Sequence, residues 1–176
     1  MGATVRVRSP AARILGAVMM FLAAVGLGAA LREGAVTLLS FGAPVLLFGV
    51  LGWAAFWQPC VDLSDSGVTV RNTLRTVHVP WTALEAVEGR YGLRLLTSAG
   101  AVTAWAAPAP AGRERSAERQ SSTAEIVRDR LEALRASGHL DRSRPERERL
   151  KSVWHVPLIA TLALLAVACL ALPGLG

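Results

Sequence analysis

The chain has 176 residues, 19 basic against 13 acidic, for a formal net charge of +6. Its hydrophobic fraction is 52%, its charged fraction 18% and its mean hydropathy +0.40, which excludes a disordered polyelectrolyte and is high for a small soluble globule. Two cysteines exclude a disulfide scaffold, and the length holds one modest domain plus appendages.

Residues 1–13 read as a basic N-terminal segment carrying Arg6, Arg8 and Arg13 and no acid. Ile14 to Leu31 then runs 18 residues without a charge, and Ala35 to Trp57 runs 23. At 1.5 Å per helical residue these reach about 27 and 34 Å, against a hydrocarbon core of roughly 30 Å. Neither block shows the polar face a soluble bundle needs. The first block exceeds the about 7–15 residues of a signal-peptide core, and the second follows after only Arg32, Glu33 and Gly34. Residues 14–57 are therefore expected to form a transmembrane helical hairpin. Ala24 and Gly28 on one helix, and Gly42, Gly49 and Gly52 on the other, are the small residues expected to let them pack closely. Pro44 removes a backbone donor and is expected to kink the second helix.

Residues 58–138 read as a small α+β domain. Val61-Asp62-Leu63, Val68 to Arg71, Val77 to Val79, Leu84 to Arg90, Leu93 to Thr97 and Ala101 to Ala106 are short strands separated by turn residues, a spacing that favours an antiparallel sheet or small barrel. Asn72 is expected to close a hairpin in the left-handed conformation. The period then lengthens. Ile126, Val127, Leu131 and Leu134 line one face of a helix at about 123–137, with Arg128 and Glu132 paired on the other. Such a helix is too short to stand alone and should dock on the sheet. Gly112 to Ser121 and the linker 139–151 are polar. Val156 to Leu172, 17 uncharged residues, gives a third transmembrane helix within 152–173.

Orientation follows from the basic flanks. Arg6, Arg8 and Arg13 precede the first span, and Arg147, Arg149 and Lys151 precede the third. The N-terminus and the middle domain are thus expected in the cytoplasm and the C-terminus outside, in a multi-pass cell-membrane protein. Trp53, Trp57 and Trp154 fall at the expected cytoplasmic interface as anchors. No Asp, Glu, Lys or Arg lies inside a span, which argues against transport. Cys60 and Cys169 are expected as free thiols.

Eighteen of the 19 basic residues are Arg, the exception being Lys151, a usage typical of high-GC bacterial genomes. The hairpin followed by Val68-Thr69-Val70-Arg71-Asn72, Val79-Pro80-Trp81 and Gly92-Leu93-Arg94-Leu95 resembles the bacterial PH-like domain of the low-molecular-weight protein antigen 6 family, common in actinobacterial membrane proteins. The likeness covers roughly residues 59–110. It implies a PH-type barrel closed by a C-terminal helix, and it brings no catalytic residues. The third span departs from the family pattern.

No H-E-x-x-H, phosphate loop, G-x-S-x-G or paired-cysteine metal motif occurs. The expectation is a non-enzymatic protein with no catalytic, cofactor or metal site. Its partners would be membrane lipids and a protein partner or a second copy of itself. Nucleic acid is not expected, because much of the excess charge flanks the spans. Arg71, Arg75, Arg90 and Arg94 are the candidate contacts for anionic lipid or a partner, provided they share a face. The competing reading makes them solvated residues balanced by Asp62, Asp65, Glu85 and Glu88, since Gln58 to Lys151 carries 15 basic and 12 acidic residues, a net of +3. Trp81 is expected in the core at a strand corner. Two functions follow: a scaffold presenting a PH-like domain at the cytoplasmic membrane surface, or a module that senses anionic lipid through the domain arginines.

Overall fold

The computed structural model describes residues 5–89, 92–105, 122–138 and 150–171. The expected contact Arg90, the polar linkers at 112–121 and 139–149 and the last residues of the third apolar block lie outside them. The chain divides into two compact units, 1–9 with 59–153 and 10–58 with 154–176.

The second of these units is helical. Helix α1 runs Pro10–Glu33 and α2 runs Ala35–Gly52. Proline at the first position of α1 has no backbone donor to waste, so the helix starts four residues before the uncharged block. Gly34 alone separates the two helices, with φ of +110°, a conformation that side chains disfavour. The hairpin packs through Gly49 and Gly52. A Cβ on Gly49 would lie 2.8 Å from the Cβ of Ala23, and one on Gly52 2.6 Å from that of Met19. Ala24 and Gly28 point outward instead: both are exposed, and space beside Gly28 is open. Helix α2 continues unbroken through Pro44 into a π-helical turn, Trp53–Trp57. Ala35–Trp57 thus gives 23 helical residues and α1 gives 24, both long and apolar enough to cross a membrane. Helix α4, Val156–Ala171, has 16 residues, about 24 Å. That is short of a full hydrocarbon core, because residues 151–154, expected in part to begin the span, form a strand.

Among the described residues, eight strands, one α-helix and a short 3-10 turn at Trp81–Ala83 build the other unit. Strands β1 (Val5–Val7), β2 (Cys60–Ser64), β3 (Gly67–Arg71), β4 (Arg75–Pro80) and β8 (Lys151–Trp154) form one sheet in the order β1-β2-β3-β4-β8, and β5 (Leu84–Glu88), β6 (Leu93–Thr97) and β7 (Gly100–Ala104) form another. The pairs β1–β2, β2–β3, β3–β4, β5–β6 and β6–β7 are antiparallel. The antiparallel strands expected from the sequence are thus arranged as two sheets among the described residues. Val5–Val7 is not part of a free basic tail, since it pairs with Leu63 to Val61.

Alternation places Val61, Leu63, Val68, Val70, Val77 and Val79 on the buried face of the first sheet. Leu84 and Val87, three apart on β5, both reach the core because the register shifts between Leu84 and Ala86. Trp81 turns the corner after β4, 4% exposed, and its Nε1–H donates to the Ser64 carbonyl at 2.9 Å. Gly67 is fixed by a close approach: with φ of +156°, a Cβ there would collide with the Val79 carbonyl oxygen.

Helix α3, Ser122–Ala136, closes the core with Ala124, Val127 and Leu131, while Leu134 packs at its edge. Ile126 does not belong to this face. It is 44% exposed, because the buried stripe runs 124-127-131-134 and Ile126 sits 100° off it. Arg128 also departs from expectation. Instead of pairing along the helix with Glu132, its guanidinium donates to the Val87 carbonyl at 2.9 Å. Arg135 donates to the carbonyls of Leu84 and Glu85 at 3.3 and 2.9 Å. Strand β5 is the edge of its sheet, so the two arginines satisfy acceptors that an open edge leaves unpaired.

Leu131→Ala should therefore destabilise the domain by about 2–5 kcal/mol. Ile126→Ala should change it by less than about 0.5 kcal/mol. Hydrogen-exchange protection of the β5 and β6 amides in the full-length protein measures both, and an equal loss for the two variants would contradict the assignment of faces.

Candidate functional site

The outer face of the five-stranded sheet carries the polar half of each alternating strand. Register aligns Arg6, Asp62, Thr69 and His78 in one row across β1, β2, β3 and β4, and directly opposed residues share a face. The row is tied internally. Arg6 Nε donates to Asp62 Oδ1 at 2.6 Å and its terminal nitrogen to Oδ2 at 3.2 Å. Hydrogen bonding to Asp62, then the charge of that carboxylate, raises the Arg6 pKa above its ordinary value. Thr69 Oγ1 and His78 Nδ1 lie 2.9 Å apart.

The next polar row is Cys60, Arg71 and Thr76. Arg71 is exposed and has no ion-pair partner among the described residues. Arg75 opens β4 on the other side of the 72–74 turn. Arg8 lies one residue beyond β1 at the same end, since Val7 is the partner of Val61, and its Nε is buried without a hydrogen bond. Arg8, Arg71 and Arg75 thus gather at the end of the sheet where the chain leaves for α1 and returns from α2. Arg94 is elsewhere. It lies on β6 in the other sheet, opposite Glu88, with a separation of 3.7 Å between their charged atoms. The four expected contacts therefore do not share one face: Arg71 and Arg75 stand at the same end of the sheet but on opposite faces by strand alternation, Arg94 is set apart, and Arg90 falls outside the described residues. Arg8 joins the group through a strand pairing that no local pattern disclosed.

Asn72 works differently from the expected turn residue. No described non-glycine residue has positive φ. Instead the Asn72 side chain, 9% exposed, reads the backbone of the second sheet: Nδ2 donates to the Thr103 carbonyl at 2.7 Å, and Oδ1 accepts from the Trp105 amide at 2.9 Å. This latch fixes the basic turn to β7. Cys60 is fully buried and makes a weak 3.9 Å contact to Asp62, and both cysteines are free.

A separate open groove of about 490 Å³ runs beside α3, lined by Val5, Leu63, Asp65, Ile126, Arg130 and Ala133 among others. Arg130 and Asp65 pair across it at 3.2 Å. The misplaced Ile126 therefore faces a concave surface. In the helical unit Arg13 stacks 4.7 Å over the Trp57 ring, and Gln58 Nε2 lies 3.2 Å from His155 Nδ1. Trp53 is 40% exposed in the π-helical turn and Trp154 54% exposed at the end of β8. No group of three or more His, Cys, Asp and Glu is arranged to hold a metal among the described residues.

Residues 58–137 match the family model of a bacterial PH domain. The match takes in β2 to β7 and α3, and leaves β1 and β8, the outer strands of the larger sheet, as additions from beyond it. No curated protein and no solved structure matches the chain. The finding is of a bacterial PH domain at large, without the narrower low-molecular-weight protein antigen 6 kinship.

Asn72→Ala should cost about 1–2 kcal/mol, because it removes two part-buried hydrogen bonds together. The loss should appear as faster exchange of the Thr103 and Trp105 amides. Unchanged exchange there would show that the latch contributes nothing.

Proposed function

We propose that this chain is a non-enzymatic bacterial membrane protein that holds its PH-like domain at the cytoplasmic surface as a scaffold for a protein partner or a second copy of itself. The observation that carries the reading is the pair of lipid-length helices α1 and α2, of whose apolar windows only 11% and 17% is buried. The first follows directly on β1 and the second leads directly into β2, both strands of the domain's larger sheet. In this reading α4 completes a third crossing with help from its flanks, the C-terminus is extracytoplasmic, and Trp53, Trp57 and Trp154 anchor the inner interface. The kinship with the actinobacterial low-molecular-weight protein antigen 6 family belongs to the same proposal. Nucleic acid is not a partner.

The mechanism is positional. Tethering at both ends confines the domain to a thin layer at the membrane and raises its effective concentration for anything else held there. Charge-free spans fit an anchor better than an ion path.

Chemical crosslinking in intact membranes tests the scaffold. The full chain should give recurrent crosslinks from residues 58–137 to one protein or to itself, absent from a chain that keeps only the apolar helices. Identical neighbours for the two chains would overturn the scaffold. A reporter after Gly176 tests the topology: an extracytoplasmic signal is expected, and a cytoplasmic one removes the third crossing.

A further inference from the structure

We propose that strand β8 of one copy docks against the β1 edge of another, seating Val153 in the groove between β1 and α3, so that the chain associates head to tail with itself. The inference rests on the scaffold reading above and names the second copy as its partner.

Four observations carry it, all within the strand-rich unit. The first is topology. Strands β1 and β8 are the two terminal strands of one sheet, in the order β1-β2-β3-β4-β8, so each keeps one side with no strand paired to it. Such an edge is a template for a strand of another chain. The smaller sheet treats its outer strand differently, since Arg128 and Arg135 donate to the carbonyls of β5. The second is what lies beside the β1 edge. The groove of about 490 Å³ has Val5 and Leu63 on the sheet side and Ile126 and Ala133 on the α3 side. Val5 and Ile126 are 49% and 44% exposed, apolar area that a second chain would cover.

The third is what lies on the opposite edge. All of β8, Lys151–Trp154, is exposed, Val153 to 64%. Alternation puts Lys151 and Val153 on one face, about 7 Å apart. The fourth is charge. Asp129 also lines the groove, is exposed, and has no ion-pair partner among the described residues, whereas Asp65 there is held by Arg130. An apolar side chain with a lysine two positions before it thus meets an apolar groove with a carboxylate on its rim. Both edges are additions of this chain, since β1 and β8 lie outside the 58–137 segment that matches a bacterial PH domain.

The contact joins two different surfaces, so it is heterologous and leaves a β1 edge and a β8 edge at the ends of every open assembly. Strands of three and four residues exchange only a few ladder hydrogen bonds, and the association is weak in dilute solution. Confinement at a membrane, as in the proposed function, supplies the local concentration it needs.

The test is crosslinking between full-length chains in intact membranes with a short bismaleimide, in a Cys169→Ser background, Cys60 being fully buried. One chain carries Ile126→Cys and the other Val153→Cys. The mixed pair should give a dimer that neither chain gives alone, and a chain carrying both substitutions should give a ladder of higher species. Asp129→Lys in both chains should reduce the mixed dimer by roughly fivefold, the upper worth of one exposed ion pair, and adding Lys151→Glu should restore it. Unchanged hydrogen exchange of β5 and β6 in each variant verifies that the domain is folded. Equal dimer from either single-cysteine chain alone overturns the head-to-tail contact in favour of a two-fold one. Crosslinks only to another protein, or none from chains seated in the membrane, overturn self-docking and leave the scaffold reading standing. A chain that never reaches the membrane fraction overturns that reading, and this proposal with it.

Discussion

The constraint on which the rest depends is the solvent that α1 and α2 require. Ile14, Phe21, Val25, Val36, Leu39 and Phe41 are all more than half exposed on this hairpin, and no charged side chain interrupts either apolar block. Removing one such side chain from water contributes about 1.5–3 kcal/mol. Six of them partly exposed amount to something on the order of 10 kcal/mol, as large as the net stability of an ordinary domain. A lipid surrounding, as in the function proposed above, would resolve that imbalance. It also explains why glycines, rather than large apolar residues, mediate the contact between the helices, since close backbone approach replaces the hydrophobic drive when the surroundings are already apolar.

The domain is built to share that tether. Its larger sheet recruits a strand from before the hairpin and another from just before α4, both outside the segment that matches a bacterial PH domain. The pairing of β1 with β2, reinforced by the Arg6–Asp62 bridge, brings two of the three chain connections to one end of one sheet. The smaller sheet is finished from within, where arginines of α3 satisfy the outer carbonyls of β5. Most described domain arginines are thereby structural, which makes the unpaired Arg71 distinctive.

Strands β2 to β7 and helix α3 were legible because local periodicity alone marks them, and turn residues such as Gly67 and Gly100 punctuate them. The hairpin was legible from length and the absence of charge. What escaped shares one property: it depends on pairing over long sequence distances. Val5-Arg6-Val7 alternates as a strand should, but three residues inside a basic segment read as a topology signal until Leu63 is seen opposite Val5. The role of Asn72 requires a partner 31 residues away. Ile126 was misassigned because apolarity outweighed spacing, whereas the buried stripe uses the small Ala124 in its place. The four arginines proposed from sequence could not be sorted, since a one-residue change of register moves a side chain to the opposite face.

Analytical ultracentrifugation of the full-length protein, with and without an amphiphile, bears most directly on the account. A discrete species in mild detergent that aggregates when the detergent is removed is the predicted result. A single well-defined species in plain buffer would contradict the claim that lipid covers α1 and α2, and with it the assignment of the domain to a membrane surface.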